Sequence, residues 1–255
     1  MPDAPEPEVV VLDDAQALAA TVAQRLLGAL YDAEMPGGRA RLALTAGSIM
    51  ESVWSALALD PAATAVDWSG IDIFWGDERF VPAGSEDRND APADRLLFDH
   101  APFCAARRFS MPASDGAYGD DLDAAADGYA ATLAGLKHGD DVGAVPNFDV
   151  VLLGIGPDGH CCSLFPNHPG AQSDAPAVIA VRNSPKPPPL RISLSFAGLN
   201  SAKQIWVVAS GAGKAEAVAR ALGGADRVDV PSAGARGRDR TIWFLDTEAA
   251  SQLPG

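Results

Sequence analysis

The sequence predicts an α/β protein with a doubly wound, mostly parallel sheet flanked by helices. Short apolar runs rich in β-branched residues alternate with helical segments of about 10 to 20 residues, which is typical of βαβ units. With 255 residues, 47% of them hydrophobic and 21% charged, the chain is long enough to bury a large core. No internal repeat or linker is visible. Residues 8–255 are therefore predicted to form one domain after a disordered, Pro-rich lead-in at residues 1–7.

The first half of the chain is predicted to form three strands with helices between and after them. Strands are expected at 8–12, 41–45 and 71–75, and helices at 14–34, 48–59, 94–98 and 122–136. Asp13 and Asp14 stand where the N-cap of the first helix is expected. Residues 82–92 are predicted to form a polar loop and 101–120 to be irregular.

The second half is predicted to complete the sheet. Strands are expected at 148–153, 178–181, 191–196, 204–209 and 241–245, and a helix from Gly211 to Leu222. The Pro-rich loop at 185–189 and the turn at 197–203 predict one locally antiparallel insertion.

Charge and composition exclude several classes of function. The formal net charge is −15, which argues against nucleic acid as a partner. Residues 180–240 nevertheless hold ten Lys or Arg against four Asp or Glu, and a basic island in an acidic chain suits capture of a small anion. Arg236, Arg238 and Arg240 could equally decorate a surface loop.

The compartment is inferred from three absences in the sequence. No apolar run approaches the roughly 18 residues of a membrane span. The acidic, Pro-rich start has no secretory signal, and three cysteines do not make a disulfide framework. A cytoplasmic protein without a membrane partner is expected.

The most informative stretch runs from Val150 to Pro166 and reads VVLLGIGPDGHCCSLFP. Four apolar residues predict a strand that is covered on both faces. Gly154, Gly156 and Gly159 then let the backbone adopt positive φ and approach a ligand closely. The turn delivers Asp158 and His160, and histidine is the side chain best suited to move protons near neutral pH. Open α/β sheets place their chemistry at such strand ends.

The same glycine turn matches the G-x-G-x-x-G pattern of dinucleotide-binding domains at 154–159. That pattern requires a long helix directly afterwards and an acidic residue about 20 positions on. Pro157 lies inside the turn, and Pro166 and Pro169 limit any following helix to about one turn. Dinucleotide binding is therefore not predicted.

Three further motifs resemble functional sites but do not match them. Gly213-Lys214 resembles part of a P-loop, but Val208 and Ala215 replace its first glycine and its Mg-binding hydroxyl residue. Residues 160–162 read His-Cys-Cys, yet adjacent residues cannot readily all face one tetrahedral ion, so no metal is predicted. Ser163 lies outside a G-x-S-x-G elbow, so a serine nucleophile has no support.

Polar residues at four strand ends point to one anionic ligand. Gly47-Ser48 opens a helix, whose N-terminus attracts anions, and Lys214 lies at the start of a later helix. Asp77-Glu78-Arg79 follows the third strand, and an arginine there can grip a phosphate. Each has an ordinary structural interpretation: an N-cap, an ion-paired loop, a structural histidine at 160 or a solvated lysine. Their shared place at one rim favours a binding site.

At these residues the chain resembles the 6-phosphogluconolactonase family of the glucosamine/galactosamine-6-phosphate isomerase superfamily. The glycine turn at 153–160 followed by SLFP at 163–166 is similar to one signature, and WGDERFVP at 75–82 with DRN at 87–89 to another. PKP at 185–187, RISLS at 191–195 and 211–214 resemble the later motifs in order. The resemblance covers residues 8 to 246. Two positions depart from it: Ala46 replaces a glycine, and Arg88-Asn89 stands where Ser-Asn is common.

The resemblance implies a Rossmann-like fold of the sugar-phosphate isomerase/lactonase type. It also implies hydrolysis of 6-phospho-D-glucono-1,5-lactone to 6-phospho-D-gluconate in the oxidative pentose phosphate pathway. His160 would accept a proton from the attacking water, and Asp158 would orient or support it. The implied substrate-binding residues are Gly47, Ser48, Asp77, Glu78, Arg79, Asn89, Gly156, Gly159, Lys186, Arg191 and Lys214. No cofactor is implied, and a monomer or weak homodimer is expected.

Two alternatives stay open. Glucosamine-6-phosphate deaminase shares the Asp-Gly-His turn but continues with Phe-Asn-Glu-Pro, in which the glutamate assists ring opening. Residues 163–166 read Ser-Leu-Phe-Pro here, and Arg79 stands where the deaminase usually has tyrosine. The other alternative is a non-catalytic sugar-phosphate sensor, which normally carries a DNA-binding domain that this sequence does not show.

Overall fold

The computed structural model describes residues 5–34, 39–139, 141–172 and 176–254, and it confirms the α/β class. The strands are β1 (Glu8–Leu12), β2 (Ala40–Leu44), β3 (Ile71–Trp75), β4 (Asp77–Arg79), β5 (Arg107–Phe109), β6 (Val150–Gly154), β7 (Val178–Val181), β8 (Arg191–Leu194), β9 (Gln204–Ala209) and β10 (Arg240–Asp246). The α-helices are α1 (Ala15–Glu34), α2 (Ser48–Leu59), α3 (Asp90–Ala93), α4 (Leu122–Gly135), α5 (Pro169–Gln172), α6 (Phe196–Leu199) and α7 (Ala215–Leu222). A π-helical turn, Asp94–Phe98, continues α3. Short 3-10 turns occupy Pro61–Ala65, Trp68–Gly70, Phe103–Ala105, Ala212–Lys214 and Pro231–Gly234.

The main sheet has seven parallel strands in the order β1-β10-β9-β6-β2-β3-β5 across the described ranges. From β2 the chain adds β3 and β5 on one side, and from β6 it adds β9 and β10 on the other. The order thus reverses between β2 and β6, which pair only through Leu42 with Val150 and Ala43 with Val151. Open α/β sheets bind ligands at such a reversal, outside the carboxyl ends of the strands.

The burial of the central strands explains why their sequences are mostly apolar. Every residue of β2 and β3 is buried, as are the first four of β6 and the last five of β9. A strand covered on both faces needs apolar side chains on both. The predicted N-cap of α1 is confirmed at Asp14, whose Oδ1 accepts the N–H of Ala17 at 2.8 Å.

A second, three-stranded antiparallel sheet in the order β4-β8-β7 confirms the predicted antiparallel insertion. The strand at β4 was not predicted, because residues 77–79 were expected to form a loop. Gly76 alone separates β3 from β4. Its N–H donates to Leu44 in the main sheet, and its carbonyl accepts from Leu194 in the second, each at 2.7 Å. The end of β3 is therefore hydrogen-bonded to both sheets.

Other differences from the predictions are local. The helix expected at 94–98 begins at Asp90, and the segment 101–120, predicted to be irregular, contains β5. Residues 5–7 have no regular secondary structure, and residues 1–4 of the lead-in lie outside the described ranges. The single domain stays a prediction. No helix in the described part of the chain is long and apolar enough to cross a membrane.

Candidate active site

A cleft of about 600 Å³ opens beside the reversal of strand order, at the carboxyl ends of β2, β6 and β9. Its wall also includes residues of β4 and β8. Ten of the thirteen predicted site residues line it: Gly47, Ser48, Asp77, Arg79, Asn89, Gly156, His160, Lys186, Arg191 and Lys214. Asp158, Glu78 and Gly159 do not line it. Their places are described below.

His160 lines the cleft and is hydrogen-bonded to Asp158. Its Nδ1 is hydrogen-bonded to Oδ1 of Asp158, and its ring packs against Phe165 with centroids 4.8 Å apart. Because Asp158 engages Nδ1, Nε2 is the ring nitrogen left to exchange a proton with a ligand. Burial raises the pKa of Asp158, but the hydrogen bond and the charges of His160 and Lys186 outweigh it and bring the pKa to about 2. Asp158 is thus a carboxylate at neutral pH.

The glycine turn leaves room for this pair. A Cβ on Gly156 would lie 1.9 Å from Nδ1 of His160, so no side chain fits at that position. Gly159 has a φ of +85° and donates its N–H to the carbonyl of Gly156 at 2.9 Å. Its hypothetical Cβ would meet Val230 at 2.7 Å. Gly159 shapes the turn from outside the cleft.

Three cationic side chains border the cleft near the histidine. Nζ of Lys186 lies 3.4 Å from Nδ1 of His160. Burial, reinforced by the charge of Lys186, lowers the pKa of Lys214. Arg79 donates Nη1 to the carbonyl of Asp87 at 2.8 Å, while its buried Nε has no hydrogen-bond partner among the described residues. Such donors suit a phosphate or carboxylate ligand.

The N-terminus of α2 also lines the cleft. Gly47 is the N-cap, with a φ of 141° and no side-chain cap, and Ser48 is exposed at the first helical position. Gly47, Ser48 and Ile49 all line the cleft. The first N–H groups of a helix have no partner within the helix and favour an anion.

Arg191 lines the cleft, and the protein itself uses most of the donors with which it is expected to bind the substrate. Its side chain is 7% exposed and donates to the carbonyls of Lys186 at 3.1 Å, Pro187 at 3.2 Å and Pro188 at 3.2 Å. Burial lowers its pKa. These donors are occupied by the loop that carries Lys186. Arg191 therefore anchors that loop at the edge of the cleft.

Asp77 is buried in the floor of the cleft, where Ser163 donates its hydroxyl to Oδ2 at 2.6 Å. Nδ2 of Asn89 donates to the carbonyl of Asp77 at 2.9 Å and to its Oδ1 at 3.2 Å. Burial raises the pKa of Asp77, and the Ser163 hydroxyl and the Arg191 charge offset part of that rise. The sequence gives no support to Ser163 as a nucleophile and indicates no other role for it. The structure shows it as a hydrogen-bond donor to the carboxylate.

Glu78 does not reach the cleft, contrary to its expected contact with the substrate. It is 1% exposed, and its carboxylate accepts backbone N–H groups of Arg79, Asn89 and Asp90. Burial raises its pKa to about 7.

The two adjacent cysteines do not supply a nucleophile. Both are buried, and burial raises the pKa of Cys161 to about 12 and that of Cys162 well above its usual value. The reactive form of cysteine is the thiolate, so neither is activated. Cys162 and Phe165 line the cleft and were not predicted as site residues.

Comparison with known proteins gives one family. The family model described as glucosamine-6-phosphate isomerases/6-phosphogluconolactonase matches residues 13–243. The 6-phosphogluconolactonase of Streptomyces coelicolor is 48% identical over 248 residues, which cover 97% of this chain and 95% of that protein. The 6-phosphogluconolactonase of Mycobacterium tuberculosis is 43% identical, covering 96% and 98%.

Solved structures share the fold. A structure of 6-phosphogluconolactonase from Trypanosoma brucei has a TM-score of 0.83 and 28% identity, covering 99% of this chain and 100% of that chain. A monomeric glucosamine-6-phosphate deaminase has a TM-score of 0.76 at 21% identity, covering 96% and 99%. The second likeness shows the fold alone.

Proposed function

The chain belongs to the glucosamine-6-phosphate isomerase/6-phosphogluconolactonase family, and on that basis we propose that it hydrolyses 6-phospho-D-glucono-1,5-lactone to 6-phospho-D-gluconate. One observation carries the proposal. His160, hydrogen-bonded to an ionised Asp158, lines a cleft that is also lined by the cationic side chains of Arg79, Lys186 and Lys214. Hydrolysis of a phosphorylated lactone requires a general base beside an anion-binding surface. The reaction belongs to the oxidative pentose phosphate pathway.

In the proposed mechanism His160 acts as general base and then as general acid. Its Nε2 removes a proton from water as the water oxygen forms a bond to C1 of the lactone. The C1–O bond to the ring oxygen then breaks, and the same proton passes to that oxygen. Lactone and water thus become the open-chain acid, and His160 returns to its neutral state. Asp158 stabilises the transient imidazolium without accepting the proton.

The substrate phosphate would lie against the N-terminus of α2, with Arg79 and Lys214 as its cationic partners. Each charge-assisted hydrogen bond contributes roughly 1.5–3 kcal/mol. The negative charge that develops on the C1 oxygen would meet backbone N–H groups of the glycine turn or a nearby cation. A lactone is an activated ester, so the mechanism needs no covalent nucleophile.

The deaminase alternative is disfavoured by a particular contact. In the deaminase motif the ring-opening glutamate corresponds to position 165, where this chain has Phe165 packed on His160. Asp77 is the only carboxylate among the described residues that line the cleft, and it is buried. Within the described ranges, no second carboxylic acid lines the cleft to assist ring opening.

The proposal is tested by adding enzymatically generated lactone and following acid release with a pH indicator. Acid release well above the spontaneous rate is expected. Ammonia release from glucosamine 6-phosphate without lactone hydrolysis would support the deaminase, and tight binding of 6-phosphogluconate without turnover of either substrate would support a sensor. A monomer or weak homodimer stays a prediction that light scattering can check.

A further inference from the structure

A buried carboxylate lies behind the wall of the cleft formed by β4 and the start of α3. Glu78 accepts three backbone N–H groups, from Arg79 at 2.7 Å, Asn89 at 2.6 Å and Asp90 at 3.1 Å. The first donor lies in β4 and the other two lie at the far end of the loop that follows it. A single side chain therefore ties the two ends of this loop together.

Arg88 completes the cluster. Its side chain is 3% exposed, and its Nε and Nη2 donate to the carboxylate of Asp90 at 2.9 and 2.8 Å. Nη2 also donates to the carbonyl of Met111 at 2.9 Å and lies 3.4 Å from Oε2 of Glu78. Breaking a buried ion cluster by removing one member leaves an uncompensated charge. Arg88, Glu78 and Asp90 are consequently held as a unit.

The cluster touches the cleft only through its neighbours. Glu78 and Arg88 do not line the cleft, but Arg79 and Asn89, which follow them directly in the chain, do. Arg79 also donates to the carbonyl of Asp87, which directly precedes Arg88 in the chain. A shift of either end of the loop would move the guanidinium of Arg79 and the amide of Asn89 together.

We propose that Glu78 and Arg88 are positioning residues that hold Arg79 and Asn89 in place for the substrate and thereby set KM. This inference rests on the proposed function, because it takes Arg79 to bind the phosphorylated substrate.

The first test is Glu78→Gln, which keeps the size of the side chain but removes its charge. KM for the lactone should rise at least about tenfold while kcat stays within about threefold, since contacts equal in ground and transition states act on KM. A merely structural role would lower the active fraction, and so the apparent kcat, and leave KM unchanged. Glu86→Gln, at an exposed position of the same loop, should keep the KM of the wild type.

The second test asks whether Glu78 acts through Arg79. The double variant with Glu78→Gln and Arg79→Ala should have the KM of Arg79→Ala alone, because residues that act through one another are not additive. Multiplicative effects on KM would overturn the inference, as would an unchanged KM for Glu78→Gln. If near-ultraviolet circular dichroism shows Glu78→Gln unfolded, Arg88→Lys decides: a KM raised at least about threefold supports the inference and an unchanged KM overturns it.

Failure of the proposed function gives a different result. A folded wild-type protein without lactone turnover overturns that function and leaves the positioning question open to a binding measurement. Isothermal titration with inorganic phosphate then decides it. Glu78→Gln must bind phosphate more weakly than Glu86→Gln, and equal affinities overturn the inference.

Discussion

Gly156 lies directly against the ring of His160: a Cβ there would come within 1.9 Å of the ring's Nδ1 and 2.3 Å of Oδ1 of Asp158. The hydrogen-bonded histidine and aspartate occupy the space that any other residue at position 156 would fill. A glycine at position 156 is thus required by the packing of His160 and Asp158, independently of any contact with a substrate.

Gly156→Ala should lower kcat at least about 100-fold, because displacing a reacting group by about 1 Å can have that effect. The fold should persist, since the nearest atoms in the clash belong to two side chains, those of His160 and Asp158, and not to the backbone. Gly28→Ala is the matched control: it lies in α1, and a Cβ there would meet nothing within 4 Å. It should leave kcat unchanged and raise the free energy of unfolding by about 0.5–1 kcal/mol. Kinetics and thermal denaturation measure both, and wild-type turnover by Gly156→Ala would contradict the geometry.

His160→Ala should lower kcat by about 10²–10⁴-fold, the usual contribution of general acid–base catalysis, with little change in KM. His138→Asn, at an exposed position, serves as control and should behave as the wild type. Acid release from the lactone is the measurement. Full activity in His160→Ala would remove the proposed mechanism.

Asp158→Asn tests the carboxylate through pH. The pKa of Asp158 is lowered to about 2, so the stability it contributes is present above its unfolded value near 3.8 and is lost as pH falls through about 2. Between pH 5 and 9 it stays ionised and adds no step to the profile of kcat/KM. Replacing it should lower kcat at least about tenfold throughout that pH range, because the imidazolium formed during the reaction loses its counter-ion.

The control for that variant is Asp123→Asn, which breaks the exposed ion pair with Arg182. Exposed pairs contribute little to stability, so the profile should be unchanged. A wild-type kcat between pH 5 and 9 in Asp158→Asn would show that Asp158 does not support the base.

Lys214→Met should raise KM for the phosphorylated lactone by about 10- to 100-fold, the equivalent of one charge-assisted hydrogen bond. The unphosphorylated lactone, glucono-1,5-lactone, should be hydrolysed equally by this variant and the wild type. Lys203→Met, which removes a lysine paired with Asp149 away from the cleft, is the control. If Lys214→Met lost activity equally towards both lactones, Lys214 would not bind the phosphate.

The sequence predicted the strands that are buried on both faces because burial imposes a mostly apolar run, interrupted only by Arg41 in β2 and Asp72 in β3. It did not reveal β4 and β5. Both are three residues long and rich in charge, and each is a strand only because a partner, β8 or β3, lies beside it. Pairing over such a sequence separation leaves no local pattern to detect.

For the site, the location of several residues could be predicted from the sequence, but their contacts could not. Placing His160, Arg79 and Lys214 at one edge follows from parallel strands ending together. The environment of Glu78 and Arg191 does not, because their partners are backbone N–H and carbonyl groups, which every sequence contains. A charged residue beside a cleft can thus point into it or support its wall, and only the folded backbone distinguishes the two.

The junction of β2 and β6, joined by two residue pairs, lies beneath the floor of the cleft. On one side of this seam stand Ser48 and Arg79, and on the other His160 and Lys214. A ligand bound to all four residues would connect β2 and β6, the two neighbouring strands of the main sheet that share the fewest residue pairs. Binding of the ligand would then stabilise the folded state by mass action and also hold the two parts of the main sheet together. Catalysis and the stability of the sheet would thus depend on the same few contacts.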